Sequence, residues 1–117
     1  MNLFDTTQAA LQRAMQGVTL RQETLAENLA NANTPNYQRR DVVFEDALRN
    51  AVGSGPGAVD QVTPQTVVDT ASPTRADGSN VDVDRESATL ARTGLEHEAL
   101  VTIAATRNSI LRTAMGL

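Results

Sequence analysis

The chain has 117 residues, enough for one domain with a small core, and it contains no Cys, no Trp, one Tyr and two Phe. The lack of Cys excludes disulfides, thiolate catalysis and zinc–cysteine sites. The net charge of −4 is unevenly spread, with +1 over residues 1–40, −7 over residues 41–98 and +2 over residues 99–117. No segment carries the concentrated basic face that nucleic-acid binding needs, so that class is not expected.

The N-terminal residues, MNLFDTTQAALQ, do not resemble a secretory signal, because they contain no basic region and no continuous apolar run follows. No apolar run in the sequence approaches the roughly 20 residues of a membrane-spanning helix. We therefore expect neither a cleaved signal peptide nor direct insertion into a membrane. If the protein leaves the cytoplasm, it should do so by a route that needs no cleaved signal.

Residues 1–33 are predicted to form the N-terminal helix, with a regular part from about Leu3 to Ala32. Apolar residues recur in it at alternating steps of four and three, which is the spacing of a coiled-coil seam. Gly17 weakens the middle of this helix and would permit a bend or a close helix contact. A helix of this length needs a partner, from the same chain or another, to cover its seam. The predicted seam and subunit-interface residues are Leu11, Met15, Val18, Leu25 and Leu29.

Residues 87–117 are predicted to form a second long amphipathic helix with the same spacing. Arg107 lies on its apolar stripe, where the stem would pack while the charged head reaches solvent or an acid on a neighbour. The fold class is therefore mainly α: long N- and C-terminal helices pack as a coiled coil, and the middle is extended or partly disordered with short β pieces. The interface residues predicted on this helix, which should meet the first seam, are Leu100, Ile103, Ile110 and Leu111.

The middle of the chain, residues 50–86, is predicted to be flexible or extended. The run GSGPG at 53–57 should not be helical. Short β-type pieces, QTVVDT at 65–70 and NVDVD at 80–84, stand between turn residues. These pieces are too few to make a sheet alone, so two possibilities stay open. Either they add to the strands of another chain, or the region is mobile until assembly.

The run ANANTPNYQ at 30–38 ends the first helix and opens the segment 34–49. Pro35 pushes the residue before it out of the helical region, and Asn36 tolerates the positive φ that a tight turn requires. We therefore predict a closed helix end followed by a defined turn, with Tyr37 lying back against the helix. The motif residues are Ala30, Asn31, Thr34, Pro35, Asn36 and Tyr37.

No other pattern indicates a catalytic or metal site. The acidic run at 77–86 lacks the spacing of a calcium loop, so we expect a turn, a short strand and then the last helix, capped by Asp84 or Ser87. His97 stands between two Glu and lacks convergent partners. The two Arg of YQRRD at 37–41 are expected to make salt bridges at a subunit contact. We therefore expect neither an enzyme nor a cofactor.

The long first helix followed by LAENLANANTPNY at 25–37 resembles the bacterial flagellar axial family, the rod, hook and hook-associated subunits. In that family the helix ends in an Ala-Asn-x-x-Thr-Pro-Gly-Tyr-type run. Asn36 stands where Gly is usual, a mild departure because Asn is the next-best residue for positive φ. The stretches YQRRDVVFEDAL at 37–48 and GSNVDVDRE at 78–86 also resemble rod subunits of this family. The second motif consists of Val81, Asp82, Asp84 and Glu86.

The resemblance implies a structural subunit of the flagellar basal-body rod, part of the drive shaft for motility. Such subunits are exported by the flagellar type III apparatus without a cleaved signal and polymerise in the periplasm through their terminal helices. The implied partners are copies of itself, other rod subunits, the adaptor between rod and MS ring, and the export apparatus. The alternative is a small helical adaptor or regulator that binds one partner without polymerising.

Overall fold

A computed structural model describes residues 3–117 as an elongated, mainly α-helical molecule of 61 × 27 × 14 Å. Two long helices give the molecule its length, and the short elements pack along the first of them. This arrangement confirms the predicted fold class. In chain order the elements are α1 (Leu3–Ala30), β1 (Arg40–Val43), α2 (Glu45–Val52), α3 (Pro56–Asp60), β2 (Gln65–Val68) and α4 (Val83–Ala114).

Helices α1 and α4 lie side by side in opposite directions. Near the end of α1, the Asn28 side chain contacts Glu86 in the first turn of α4. Near the start of α1, the Phe4 carbonyl accepts a hydrogen bond from Arg107, far along α4. Each long seam is therefore partly covered by the other helix of the same chain. Within residues 3–117, neither long helix has both the length and the apolar composition of a membrane-spanning helix.

The start of α4 differs from the prediction. The expected helix start at Ser87 and the expected strand at 80–84 are wrong, because the helix begins at Val83. Asp82 is its cap, so neither Ser87 nor the other predicted cap, Asp84, has that role. The Asp82 carboxylate accepts hydrogen bonds from the second and third backbone N–H groups after it, at 3.1 and 3.2 Å. These bonds pair two of the N–H groups that a helix start otherwise leaves free, which favours the earlier start.

The middle of the chain contains regular elements. The prediction that 53–57 is non-helical is wrong for its second half, because Pro56 begins α3 at a position where its missing N–H costs nothing. Strand β2 confirms the β piece predicted at 65–70. Its partner is β1 of the same chain, with Arg40 opposite Val68 in an antiparallel pair. Of the two possibilities left open for this piece, pairing with another chain's strands is therefore wrong, and no strand was predicted over β1.

A small apolar cluster holds β1 and α2 against the long helices. Val18, Val42 and Phe44 are its buried members, at 4%, 1% and 6% exposure. The Phe44 ring makes two contacts with α1. It lies directly on Gly17, and the Arg21 guanidinium is 5.1 Å from the ring centroid. Gly17 thus makes the close contact that the sequence permitted, because the ring occupies the space of a side chain. The partly buried residues packed on this cluster are Leu20, Leu48 and Leu100.

Replacing Gly17 by Ala should lower the free energy of unfolding by up to about 2 kcal/mol, because an overlap costs about 1–3 kcal/mol and the helix preference of Ala offsets part of it. The new methyl group would overlap the Phe44 ring, and this cost exceeds the roughly 1 kcal/mol by which Ala favours a helix over Gly. The matched control is Gly94→Ala in α4, where the nearest atom would be the flexible Gln22 amide at 3.8 Å. The control should raise stability by up to about 1 kcal/mol. Urea unfolding followed by circular dichroism measures both, and equal stabilisation would contradict the contact.

Candidate functional site

The run at 30–38 forms the predicted turn at the end of α1. The Tyr37 N–H donates to the Thr34 carbonyl at 3.2 Å, and Asn36 has a φ of 62°, so the predicted positive φ is confirmed. The Asn31 amide donates to a carbonyl one turn back in α1 at 2.9 Å and closes the helix end. The motif residues that this turn leaves exposed are Ala30, Thr34, Pro35 and Asn36.

The segment before α4 packs directly on this turn. The Asn36 N–H donates to the Asp77 carbonyl at 2.9 Å, and the Asn80 N–H donates to the Tyr37 carbonyl at 3.3 Å. Gly78 lies between these bonds with a φ of 83°, and a side chain there would overlap that of Asn36. The two motifs recognised in the sequence therefore form a single site.

Glu86 is the buried charge at the centre of this site, with 1% of its surface exposed. Both of its carboxylate oxygens are paired. Oε1 accepts a hydrogen bond from Arg39 Nε at 2.6 Å, and Oε2 accepts one from Asn28 Nδ2 at 3.0 Å. An unpaired carboxylate buried to this extent would cost several kcal/mol, so these two donors are what make its position possible.

Asn28 of α1 is fully buried and uses all of its hydrogen-bonding capacity. Its Nδ2 donates to Glu86 and, at 2.8 Å, to the Arg40 carbonyl. Its Oδ1 accepts from the Arg40 N–H at 3.0 Å and from the Tyr37 hydroxyl at 3.1 Å. The amide thus pairs with the outer edge of β1 much as a neighbouring strand would. One side chain joins α1, β1, the turn and α4.

Arg39 connects Glu86 to the loop after β2. Its Nη1 donates to Asp69 at 2.8 Å, and Asp69 also accepts from the Ser72 hydroxyl at 2.6 Å and from two backbone N–H groups. The bonds from Ser72 and then Arg39 hold the pKa of Asp69 well below its ordinary value. Burial alone would lower the pKa of Arg39, but its bonds to Asp69 and Glu86 raise that pKa overall. The Arg39–Asp69 pair is therefore ionised at neutral pH.

Asn80 completes the set from the second motif. Its Oδ1 accepts from the Arg39 backbone N–H at 2.6 Å, and its Nδ2 donates to the Asp69 carbonyl at 2.9 Å. The site is thus a network of mutually paired polar side chains that ties the turn, the strands and both long helices together. We call it the polar clasp, defined as Asn28, Tyr37, Arg39, Asp69, Asn80 and Glu86.

Sequence reasoning identified part of the polar clasp. It named Tyr37 and Glu86 and expected Arg39 to form salt bridges, but it missed Asn28, Asp69 and Asn80. The expectation that both Arg of 37–41 lie at a subunit contact is wrong for Arg39, which pairs with two acids of its own chain. The sequence feature that could have indicated this site is Asn28, because it is a polar residue next to the seam position Leu29. Of the second motif, the remaining residues are Val81, which is buried, Asp82, which caps α4, and Asp84, which is exposed.

The chemistry of the polar clasp is that of a structural joint. Its charges and amides are bonded to one another, so their bonding capacity is spent on holding chain segments together. Across residues 3–117, no three His, Cys, Asp or Glu side chains gather in the way that would hold a metal ion. His97 lies partly buried on α4, away from this network.

The other end of the helical hairpin, which we call the open end, exposes apolar side chains. There Arg107 stacks 5.8 Å from the Phe4 ring centroid and hydrogen-bonds the Phe4 carbonyl, while α4 continues past this contact. The predicted interface residues divide along the hairpin. The buried ones are Leu11, Val18 and Leu25, the partly buried ones are Met15, Leu29 and Leu100, and the exposed ones are Ile103, Ile110 and Leu111.

A long helical hairpin closed by two joined motifs agrees with the class that the sequence resembles, the flagellar axial proteins. The family model described as flagella basal body rod protein matches residues 6–38. The chain is 32% identical over 117 aligned residues to the flagellar basal body rod protein FlgB of Escherichia coli K12, with 82% of this chain and 85% of the relative covered. The FlgB protein of Borrelia hermsii is 32% identical, with 74% and 78% covered. That of Bacillus subtilis 168 is 30% identical, with 86% of both covered. The chain belongs to the FlgB family of flagellar basal body rod proteins, a family of structural proteins.

Substituting Asn36 tests the turn. Asn36→Val should lower the free energy of unfolding by about 1–3 kcal/mol, because a β-branched residue is strained at a φ of 62°. Asn36→Gly should be tolerated, since Gly adopts this conformation freely. Thermal unfolding of the two variants provides the comparison. A Val variant as stable as the Gly variant would contradict the turn.

The polar clasp should make the protein sensitive to acid. Because the pKa of Asp69 is lowered in the folded state, the stability it provides is complete above its unfolded pKa of about 4 and is lost as the pH falls further. Asp69→Asn should lower stability at neutral pH and flatten this acid dependence. Urea titrations at about pH 7 and about pH 3 measure both effects.

The control for this measurement is Asp46→Asn, which removes a carboxylate of α2 that is 90% exposed and lies outside the polar clasp. It should leave the acid dependence of stability in place. An acid dependence that Asp69→Asn does not reduce would contradict the role assigned to Asp69.

Proposed function

We propose that this protein is a subunit of the flagellar basal-body rod that polymerises through α1 and α4. Its family supports the assignment to the rod. The observation that supports polymerisation is the apolar surface of the open end, where Phe4, Ile103, Ile110 and Leu111 line one shared groove and are 65%, 55%, 63% and 37% exposed. A contiguous exposed apolar surface of this kind is typical of a site that another protein covers.

The partners in this proposal are copies of the chain and other rod subunits, the adaptor between rod and MS ring, and the export apparatus. Export proceeds through the flagellar type III apparatus without a cleaved signal, and assembly takes place in the periplasm. The likeness to flagellar axial proteins supports these steps. So does the absence of Cys, because a hairpin held by hydrogen bonds and salt bridges has no covalent crosslink to break before it passes a narrow channel.

The polar clasp has a defined part in this function. It fixes the start of α4 beside the end of α1 through Asn28 and Glu86, and therefore sets how the two helices are aligned along their length. Alignment at the closed end determines which apolar side chains of α4 face outward at the open end. The family motifs thus act on assembly indirectly, by holding the polymerising helices in one register.

Replacing Ile110 by Asp tests polymerisation. The change should abolish motility in cells whose only copy of this protein is the variant, because it places a charge in the apolar surface of the open end. It should leave the circular dichroism spectrum and urea midpoint of the purified chain nearly unchanged, since Ile110 is 63% exposed in the single chain.

The matched control is Asn108→Asp, which introduces the same charge two residues earlier and so about 200° around the helix. It should leave motility intact. Full motility of the Ile110→Asp cells would contradict polymerisation through this surface and would favour the alternative, a helical adaptor that binds a partner without forming a polymer.

A further inference from the structure

Helix α4 extends beyond the helix on which it packs. Arg107 lies level with Phe4, near the start of the described part of α1, so the turns after Arg107 pass that start. From Asn108 to Ala114 this extension is about 10 Å long at 1.5 Å per residue. Ile110 and Met115 on it are 63% and 64% exposed. We call residues 108–117 the overhang.

A second apolar surface lies on the body of the hairpin. It is an open groove between α1, α2 and α4, and almost all of its lining is apolar. Leu48 and Val52 of α2 form one wall, and Val52 is 43% exposed. Leu11 and Leu100, both from the predicted seam, form the other wall. The groove is therefore a continuation of the contact between the two long helices, left uncovered in the single chain.

The overhang of the same chain does not reach this groove. Leu100 lines the groove, and Met115, directly after the end of α4, is 15 residues further along the chain, which corresponds to about 22 Å at the rise of a helix. A helix holds this separation fixed. Any overhang seated in the groove must therefore come from another copy.

Charge favours this pairing over a contact between two overhangs. The overhang carries one Arg, Arg112, and no acid, whereas α2, which forms one wall of the groove, begins with Glu45 and Asp46 and carries one Arg. Two overhangs in contact would set like charges together, while an overhang on α2 of another copy sets Arg112 against the acidic first turn of that helix. Among the described residues, Asp46 forms an ion pair with Arg49, which lines the groove, and both side chains are largely exposed. Such an exposed pair contributes at most about 1 kcal/mol, so Arg112 of a second copy exchanges for Arg49 at little cost.

We propose that the overhang of one copy packs into the α1–α2 groove of a second copy, with Arg112 next to Asp46. The two surfaces differ, so a copy that is bound through its overhang still offers a free groove, and the contact repeats from one copy to the next. This inference rests on the proposed function and deepens it by naming which surfaces of neighbouring copies meet.

Crosslinking tests this contact, because the chain contains no Cys of its own. The double variant Val52→Cys/Met115→Cys is produced in flagellated cells whose only copy of the protein is the variant. Mild oxidation of isolated basal bodies should give disulfide-linked multimers, at least about tenfold more than in the control, because seated thiols have a high effective concentration. The control is Thr70→Cys/Met115→Cys, which moves the first thiol to an exposed position outside the groove.

Motility separates the outcomes. Motile cells with no crosslinking above the control would overturn the overhang–groove contact while leaving the proposed rod function standing. Cells that swim equally well without any copy of the protein would overturn the rod function itself.

If cells with the cysteine variants are not motile, exchanging the charges of Asp46 and Arg112 provides a second test of the overhang–groove contact. Asp46→Arg and Arg112→Glu should each reduce motility, and the two together should restore it, because the pair is re-formed with opposite signs. The purified variants should keep the urea midpoint of the original chain. Failure of the double variant to restore motility would overturn the contact.

Discussion

The buried pair of Glu86 and Arg39 is the interaction on which the rest of the fold depends. Glu86 belongs to the first turn of α4, Arg39 immediately precedes β1, and the second oxygen of Glu86 reaches Asn28 on α1. Removing one partner of such a pair leaves an uncompensated buried charge, at a cost of about 3–5 kcal/mol. Glu86 lies 47 residues after Arg39 and 58 residues after Asn28. Their bonds therefore form only when the hairpin, the turn and the strands are all in place.

The polar clasp specifies one alignment of α1 and α4, which the apolar seam alone does not. The seam repeats every three or four residues, and its members are mostly Leu, Val and Met, so sliding α1 by one heptad would bring similar side chains together. The bonds of Asn28 are directional and specify one alignment. An apolar cluster at the same place would exclude water as well, but it would not distinguish neighbouring registers. We therefore interpret the polar clasp as a device that selects the alignment of α1 and α4.

The sequence predicted those parts of the structure that depend on local chemistry. The two long helices follow from their apolar spacing, and the turn at Asn36 follows from the proline before it. The pairing of β1 with β2, the partners of Arg39 and the early start of α4 depend on residues that are distant in the sequence. Nothing near Arg39 distinguishes an acid of the same chain from an acid of a neighbour. The polar clasp was therefore visible in the sequence only as two motifs whose contact could not be derived.

The two ends of the hairpin differ in how far their side chains are paired within a single copy. At the closed end, every polar group of Asn28 has a partner within the chain, so this end is complete in a single copy. At the open end, apolar side chains such as Ile110 stay exposed beside Arg112 in a segment that contains no acid. In the contact that we propose, like charge disfavours two open ends together, whereas the acidic first turn of α2 in another copy attracts Arg112. Each copy would fix the alignment of its own helices through the polar clasp and offer its overhang to a different surface of its neighbour. Growth in one direction would then follow from the arrangement of charge and apolar surface along one helix.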